Sequence, residues 1–192
     1  MDIEKIKEDI VFKDNIRGAD FTFHSTWGLF SPKEIDAGSR LLIDFLEVKD
    51  SDVCLDIGCG YGVIGLNMAK MSVSGKVYMI DKDFVAVEYA KKNVLINQLT
   101  NCDVFLSNAF SNVSNDIKFD VIASNLPANV GKEMLYIILS DAMSHLKEGG
   151  KLYVVTIAGL REFIKRNFKD IFGNYEKVKQ GREHAVHLGI KD

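Results

Sequence analysis

Short apolar runs and longer stretches of helical period alternate through most of the chain. The runs are 52-DVCLDI-57, 76-KVYMID-81, 103-DVFLSN-108, 119-FDVIAS-124 and 150-GKLYVVT-156. The first four are nearly continuous in hydrophobic residues and stop at a polar or acidic one, as strands buried on both faces of a parallel sheet do. Between them, 84-FVAVEYAKKNVLIN-97 sets Phe84, Val87, Ala90, Lys91 and Val94 along one side, with charge clustered on the other. The segment 131–150 spaces Met134, Leu135, Ile138, Ala142, Met143 and Leu146 at helical intervals before a Gly-Gly stop. A helix near 160–168 precedes two further strands around 174–179 and 183–190.

Strand–helix–strand order, repeated about every 25 residues, predicts an α/β fold: a doubly wound, mostly parallel seven-stranded sheet with helices on both faces. The beginning differs. Residues 10–30 alternate around a turn at Asn15–Gly18 and predict a hairpin, followed by a helix-like stretch over 34–48. The expectation is one domain over 1–192, with an N-terminal extension at 1–33 and the core at 34–192.

Composition narrows the class. With 47% hydrophobic and 27% charged residues, the 192-residue chain has the makings of a globular core rather than a disordered segment. No apolar run approaches the roughly 18 residues a membrane span needs. The start, MDIEKIKEDI, lacks the apolar centre of a secretion signal, so a cytoplasmic location is expected. Cys54, Cys59 and Cys102 form no metal-ligand or CxxC spacing, and His24, His145, His184 and His187 share no ligand pattern. Neither a metal nor a catalytic histidine is expected. Net charge is −3, yet 161–182 holds seven basic residues against three acidic, a stripe able to meet phosphate.

The most informative motif is 53-VCLDIGCGYGVIGL-66. A strand delivers Asp56, and glycines follow at 58, 60 and 62 before a helix begins. Glycine is required where the backbone takes positive φ or where a ligand approaches the main chain without a Cβ between them. The spacing is GxGxG rather than the GxGxxG of the dinucleotide fingerprint. A carboxylate at the loop mouth would repel a pyrophosphate and attract an ammonium. A second acid, Asp81, ends the next strand where a ribose diol would lie. S-adenosylmethionine carries an ammonium, a sulfonium and a ribose, and no phosphate. It is the cofactor these residues suit.

With DIGCGYGVIGL, IDKDF at 80–84, FDVIASNLPAN at 119–129 and WGLFSPKEIDAGSRLLI at 27–43, the chain resembles class I S-adenosylmethionine-dependent methyltransferases. Within them it is similar to the small methyltransferase domain group that includes ribosomal RNA guanine-N2 methyltransferases and archaeal relatives. The 27–43 stretch is like that group's G-V-F-S lead-in followed by a D-x-G-[ST] helix start. The resemblance implies a Rossmann-like fold and places Asp56 and the backbone of Gly58, Cys59 and Gly60 near the methionine part of the cofactor. It further implies that Gly62 permits tight packing, Asp81 accepts from both ribose hydroxyls and Lys82 lies beside the adenine. Asn108 stands where the group usually has an Asp facing the adenine amino group, and its carbonyl oxygen can accept the same bond.

In the same resemblance, 124-SNLPAN-129 takes the place of the group's [DNS]-x-P-[FY] motif, which holds a target nitrogen in amino-methylating members. Asn125, Leu126 and Pro127 are the candidate catalytic residues. An exocyclic amine is a poor nucleophile because its lone pair is delocalised. Acceptance of one N–H each by Asn125 Oδ1 and the Leu126 carbonyl turns that lone pair towards the sulfonium methyl and stabilises the positive charge that develops. Pro127 stiffens the turn and brings no competing N–H. Leu126 replaces a proline common in the group, and Ala128 stands where an aromatic ring usually stacks on the base; Trp27, Phe30, Phe21 and Phe23 are candidates to supply one. The expected function is N-methylation of a nucleobase amine in RNA (ribosomal or transfer RNA), guanine N2 foremost. The alternatives are methylation of a protein glutamine amide, or an inactive cofactor- or RNA-binding scaffold. The chain is expected to act as a monomer or homodimer.

Overall fold

The computed structural model describes residues 3–127 and 130–192. In chain order the elements are α1 (Ile3–Lys7), β1 (Ile10–Ile16), β2 (Ala19–Ser25), α2 (Ala37–Phe45), β3 (Val53–Ile57), α3 (Val63–Met71), β4 (Lys76–Asp81) and α4 (Phe84–Ile96). They continue with β5 (Cys102–Leu106), β6 (Phe119–Asn125), α5 (Lys132–His145), β7 (Leu146–Ile157), a single 3-10 turn, α6 (Arg161–Phe172), β8 (Glu176–Gln180) and β9 (His184–Ile190). The main sheet has the order β5-β4-β3-β6-β7-β9-β8. β9 is antiparallel to β7 and β8, while the pairs from β5 through β7 are parallel. Strand order turns between β3 and β6, and the carboxyl ends of strands flanking such a switch point form the crevice where ligands bind in open α/β sheets.

The continuous apolar runs have their cause in burial on both faces. β3 is buried from Cys54 to Ile57. Leu42, Ile43, Leu66, Met68, Met79 and Val87 pack on the face covered by α2, α3 and α4. Phe119, Leu135, Leu139, Ile164 and Phe168 fill the other face under α5 and α6.

The expected hairpin is present as β1 and β2, with Ile16 opposite Ala19. Arg17 and Gly18 form its two-residue turn, both at positive φ (52° and 84°), which matches the twist of the flanking strands. Asn15 is therefore in the strand, where its amide bonds Asp20 at 2.7 Å. Phe21 and Phe23 are buried in the same core as α2–α4, each contributing about 2 kcal/mol by burial. The free edge of β2 is met by side chains. Asn97 Oδ1 accepts from Thr22 N–H at 3.0 Å, and its Nδ2 donates to Thr22 O at 2.8 Å. Asn93 repeats the pair one turn earlier on His24, at 2.8 and 2.9 Å. Asn93 on α4 and Asn97 at its C-cap thus replace a neighbouring strand.

Three local readings are corrected. The helix expected over 34–48 begins at Ala37, because Asp36 holds an extended backbone and caps it through Gly38 N and Ser39 N. In α4 the inward residues include Ala86 and Asn93, while Phe84, just past the cap, is exposed. α5 ends at His145, before Gly149 and Gly150, which instead absorb the register shift where β7 joins β6.

Candidate active site

Register puts the site residues in one row. Ile57 pairs with Ile80, Asp81 with Leu106, and Asp56 with Ala123. Carried one step past Ile57–Ile80 and two past Asp56–Ala123, this register sets Gly58, Asp81 and Asn125 level on adjacent strands about 4.8 Å apart. The row is fixed by hydrogen bonds within the chain. Gly58 N–H and Cys59 N–H both donate to Ile80 O, at 2.8 and 3.0 Å, and Ser124 Oγ donates to Ile57 O at 2.7 Å. The Gly58 and Cys59 amides are thus committed within the chain. What the loop offers a ligand is close approach. Gly58 and Gly60 have φ of +68° and +55°, and a Cβ at either would point into open space. Gly62 is different: at φ +100° it caps α3, and a Cβ there would lie 2.3 Å from Leu66 Cδ1.

Asp81 ties the loop to its own strand. One carboxylate oxygen accepts from Gly60 N–H and the other from Asp83 N–H, both at 2.9 Å. Each oxygen keeps a second lone pair for a hydroxyl. Lys82 next to it is exposed. Asn108 lies exposed beyond the end of β5, its backbone N–H donating to Ser111 Oγ at 3.2 Å.

Asp56 is fully buried. Its Oδ2 accepts from Gly65 N–H at 2.8 Å, and its Oδ1 has no hydrogen-bond partner among the described residues. Burial pushes its carboxyl up to about 7; the Gly65 bond opposes that and the Asp81 charge adds to it. An acid so placed gains from a cation at the loop mouth. This orphaned oxygen, the open glycine turn and the free lone pairs of Asp81 together fit the ammonium and ribose of S-adenosylmethionine.

Asn125 ends β6 opposite Val155, and Leu126 N–H continues that pairing to Val155 O at 3.0 Å. Leu126 is buried and Pro127 is exposed; Ala128 and Asn129 lie outside the described residues. Asn125 Nδ2 is held from the side by Asp36 Oδ1 at 3.2 Å, Asp36 Oδ2 at 3.3 Å and Ser39 Oγ at 3.0 Å. Sequence reasoning placed Asp36 and Ser39 only as a helix start, and Tyr61 not at all. Tyr61 OH donates to Ser31 O at 2.9 Å and approaches Glu34 O at 3.2 Å, so the glycine loop fastens the segment that leads to Asp36. Of the four aromatic candidates for a stacking ring, Phe21 and Phe23 belong to the core, whereas Trp27 and Phe30 are exposed. Burial pushes the thiols of Cys54 and Cys59 far up, which keeps both protonated. Among the described residues no group of three or more His, Cys, Asp or Glu is placed to hold a metal.

This arrangement on this topology is the Rossmann-like methyltransferase fold. The chain belongs to the methyltransferase small domain family, whose model matches residues 20–187. It is 43% identical over 141 residues to an uncharacterized Bacillus subtilis protein, YbxB, covering 73% of this chain and 70% of that one. It is 35% identical over 174 residues to Haemophilus influenzae ribosomal RNA small subunit methyltransferase C, covering 88% and 51%. A T. thermophilus 16S rRNA N2 methyltransferase acting on a G, solved with AdoMet and guanosine, superposes with a TM-score of 0.86. That match has 26% identity and covers 95% of this chain and 50% of the other. The chain spans about half the length of both ribosomal RNA methyltransferases.

Proposed function

We propose that the chain is an S-adenosylmethionine-dependent N-methyltransferase acting on an exocyclic nucleobase amine in RNA, with guanine N2 as the favoured atom. The observation that carries this reading is the placement of Asn125 at the switch point, one strand from the glycine loop. The ribosomal RNA relatives support the choice of substrate.

The cofactor supplies a methyl group activated on a sulfonium. Asp56, Gly58, Cys59 and Gly60 would hold its methionine part, Gly62 seats the loop on α3, Asp81 would take the ribose, and Lys82 and Asn108 would flank the adenine. Asn125 Oδ1 and the Leu126 carbonyl each accept one N–H of the amine, and Pro127 holds the turn. Bound there, the cofactor would supply its methyl carbon to the amine nitrogen, the electron pair of the carbon–sulfur bond staying on sulfur. The two acceptors stabilise the positive nitrogen until it loses a proton to solvent.

Transfer of label from S-adenosylmethionine to unmodified ribosomal RNA tests this. Asn125→Ala is expected to lower the rate about 100- to 1000-fold with cofactor affinity unchanged. Full turnover in that variant would remove Asn125 from the reaction, and labelling of protein alone would move the substrate to a glutamine amide.

A further inference from the structure

Asn125 can serve as an acceptor only if its carboxamide is the right way round, and a carboxamide at a strand end is free to flip unless something prevents it. The structure supplies the constraint from a residue 89 positions away. Asp36 caps α2 with an extended backbone (φ −65°, ψ 153°), its Oδ1 accepting from Gly38 N–H at 2.9 Å and Ser39 N–H at 3.1 Å. That anchored carboxylate, together with Ser39 Oγ, meets Asn125 Nδ2 at 3.0–3.3 Å.

An ionised carboxylate accepts and never donates, so it tolerates only the NH₂ side of a carboxamide. A flipped Asn125 would set its oxygen against two carboxylate oxygens. With Nδ2 held, Oδ1 is turned away from Asp36 and takes no hydrogen bond from any described residue.

We propose that Asp36, assisted by Ser39, is a positioning residue that locks the Asn125 carboxamide with its oxygen towards the substrate, and so selects a group bearing N–H donors over a carbonyl or an unprotonated ring nitrogen. The proposal rests on the amine-methylation reading. Asp36 also sharpens the acceptor: negative charge on the far side of the amide polarises its carbonyl and strengthens the bond that oxygen makes. The helix start and the Asn-Leu-Pro turn are therefore one device, and Tyr61 couples it to the glycine loop by fastening residues 31–34.

Cap and positioning roles separate by substitution. Asp36→Ser keeps an N-cap acceptor but is too short to reach Asn125, and Asp36→Asn keeps the reach and loses the charge. With unmodified ribosomal RNA transcript and saturating S-adenosylmethionine, Asp36→Ser is expected to lower the single-turnover rate about 100-fold. Thermal midpoint, cofactor affinity and KM for RNA should hold, and Asp36→Asn should fall between. In an Asn125→Ala background, Asp36→Ser should cost nothing more, because its effect passes through Asn125. A wild-type rate in Asp36→Ser, or the same loss in both backgrounds, overturns the proposal. If Asn125→Ala is too slow to measure, hydrogen exchange at the Asn125 side-chain amide decides: slow in the wild type and fast in Asp36→Ser supports it, and equal rates overturn it. That exchange measurement stands even if the wild type methylates some atom other than an exocyclic amine, an outcome that defeats the functional reading alone.

Discussion

Asp56 shows how much of the site is set by single residues. Its carboxyl is buried, half-satisfied and pushed up to about 7, so the free protein binds a proton there below that pH. A cofactor ammonium held at the loop mouth would favour the ionised form, so binding below pH 7 would have to expel the proton. Affinity for S-adenosylmethionine is therefore expected to be flat above about pH 7 and to weaken below it, approaching tenfold per unit. Calorimetric titration across that range should show the slope in the wild type and not in Asp56→Asn; a flat wild-type profile would mean the two charges do not meet. The strand-end positions of Asp56, the glycines and Asp81 were legible in the sequence because short apolar runs mark where β3 and β4 stop. The hold of Asp36 on Asn125 was not. It joins residues far apart in the chain, and only the fold brings α2 across β6.

At the scale of elements, the strands were legible to within a few residues wherever burial on both faces made the run continuous. Helix faces were less so, because buried polar residues carry part of the packing. Asn93 and Asn97 look like solvent residues in a helical pattern, yet they satisfy the edge of β2. His187 on β9 is another such case. It is wholly buried between Thr156 and Tyr175, at 3.1 Å from each, and burial, aided by Arg161 and Lys177, pushes it down to about 4. The unfolded chain takes up this proton near pH 6.5 and the folded chain does not until about 4. Its contribution is thus intact above pH 6.5 and declines between those values, by about 2 kcal/mol from pH 7 to pH 5. Denaturant unfolding at both pH values should show that loss in the wild type and a smaller one in His187→Gln. Equal losses would place the titration elsewhere.

Across the whole molecule, the basic stretch that reads as one stripe in the sequence is split by the topology. α6 starts at the carboxyl end of β7 and runs back along the sheet, so Arg161 lies at the site end and Lys165, Arg166 and Lys169 recede from it. At 1.5 Å per residue, Lys169 is about 12 Å down the axis from Arg161. Because His184 pairs with Ile157, the β8–β9 turn returns to the site end and brings Arg182 with it. RNA binding is expected to lose more affinity in Arg161→Glu/Arg182→Glu than in Lys165→Glu/Arg166→Glu/Lys169→Glu, and its salt slope should fall by about one per lost phosphate contact. Filter binding at graded salt would read this, and the opposite ranking would put the RNA path along α6.

Under the proposed function, this sheet end carries a methyl group from S-adenosylmethionine to the amine of a base in RNA. Its most direct test is nucleoside analysis of unmodified ribosomal RNA after incubation with the protein and labelled S-adenosylmethionine. The expected product is guanosine methylated at N2, formed about 100- to 1000-fold more slowly with Asn125→Ala. Label on a ribose, on a base carbon, or on no nucleoside at all would contradict it.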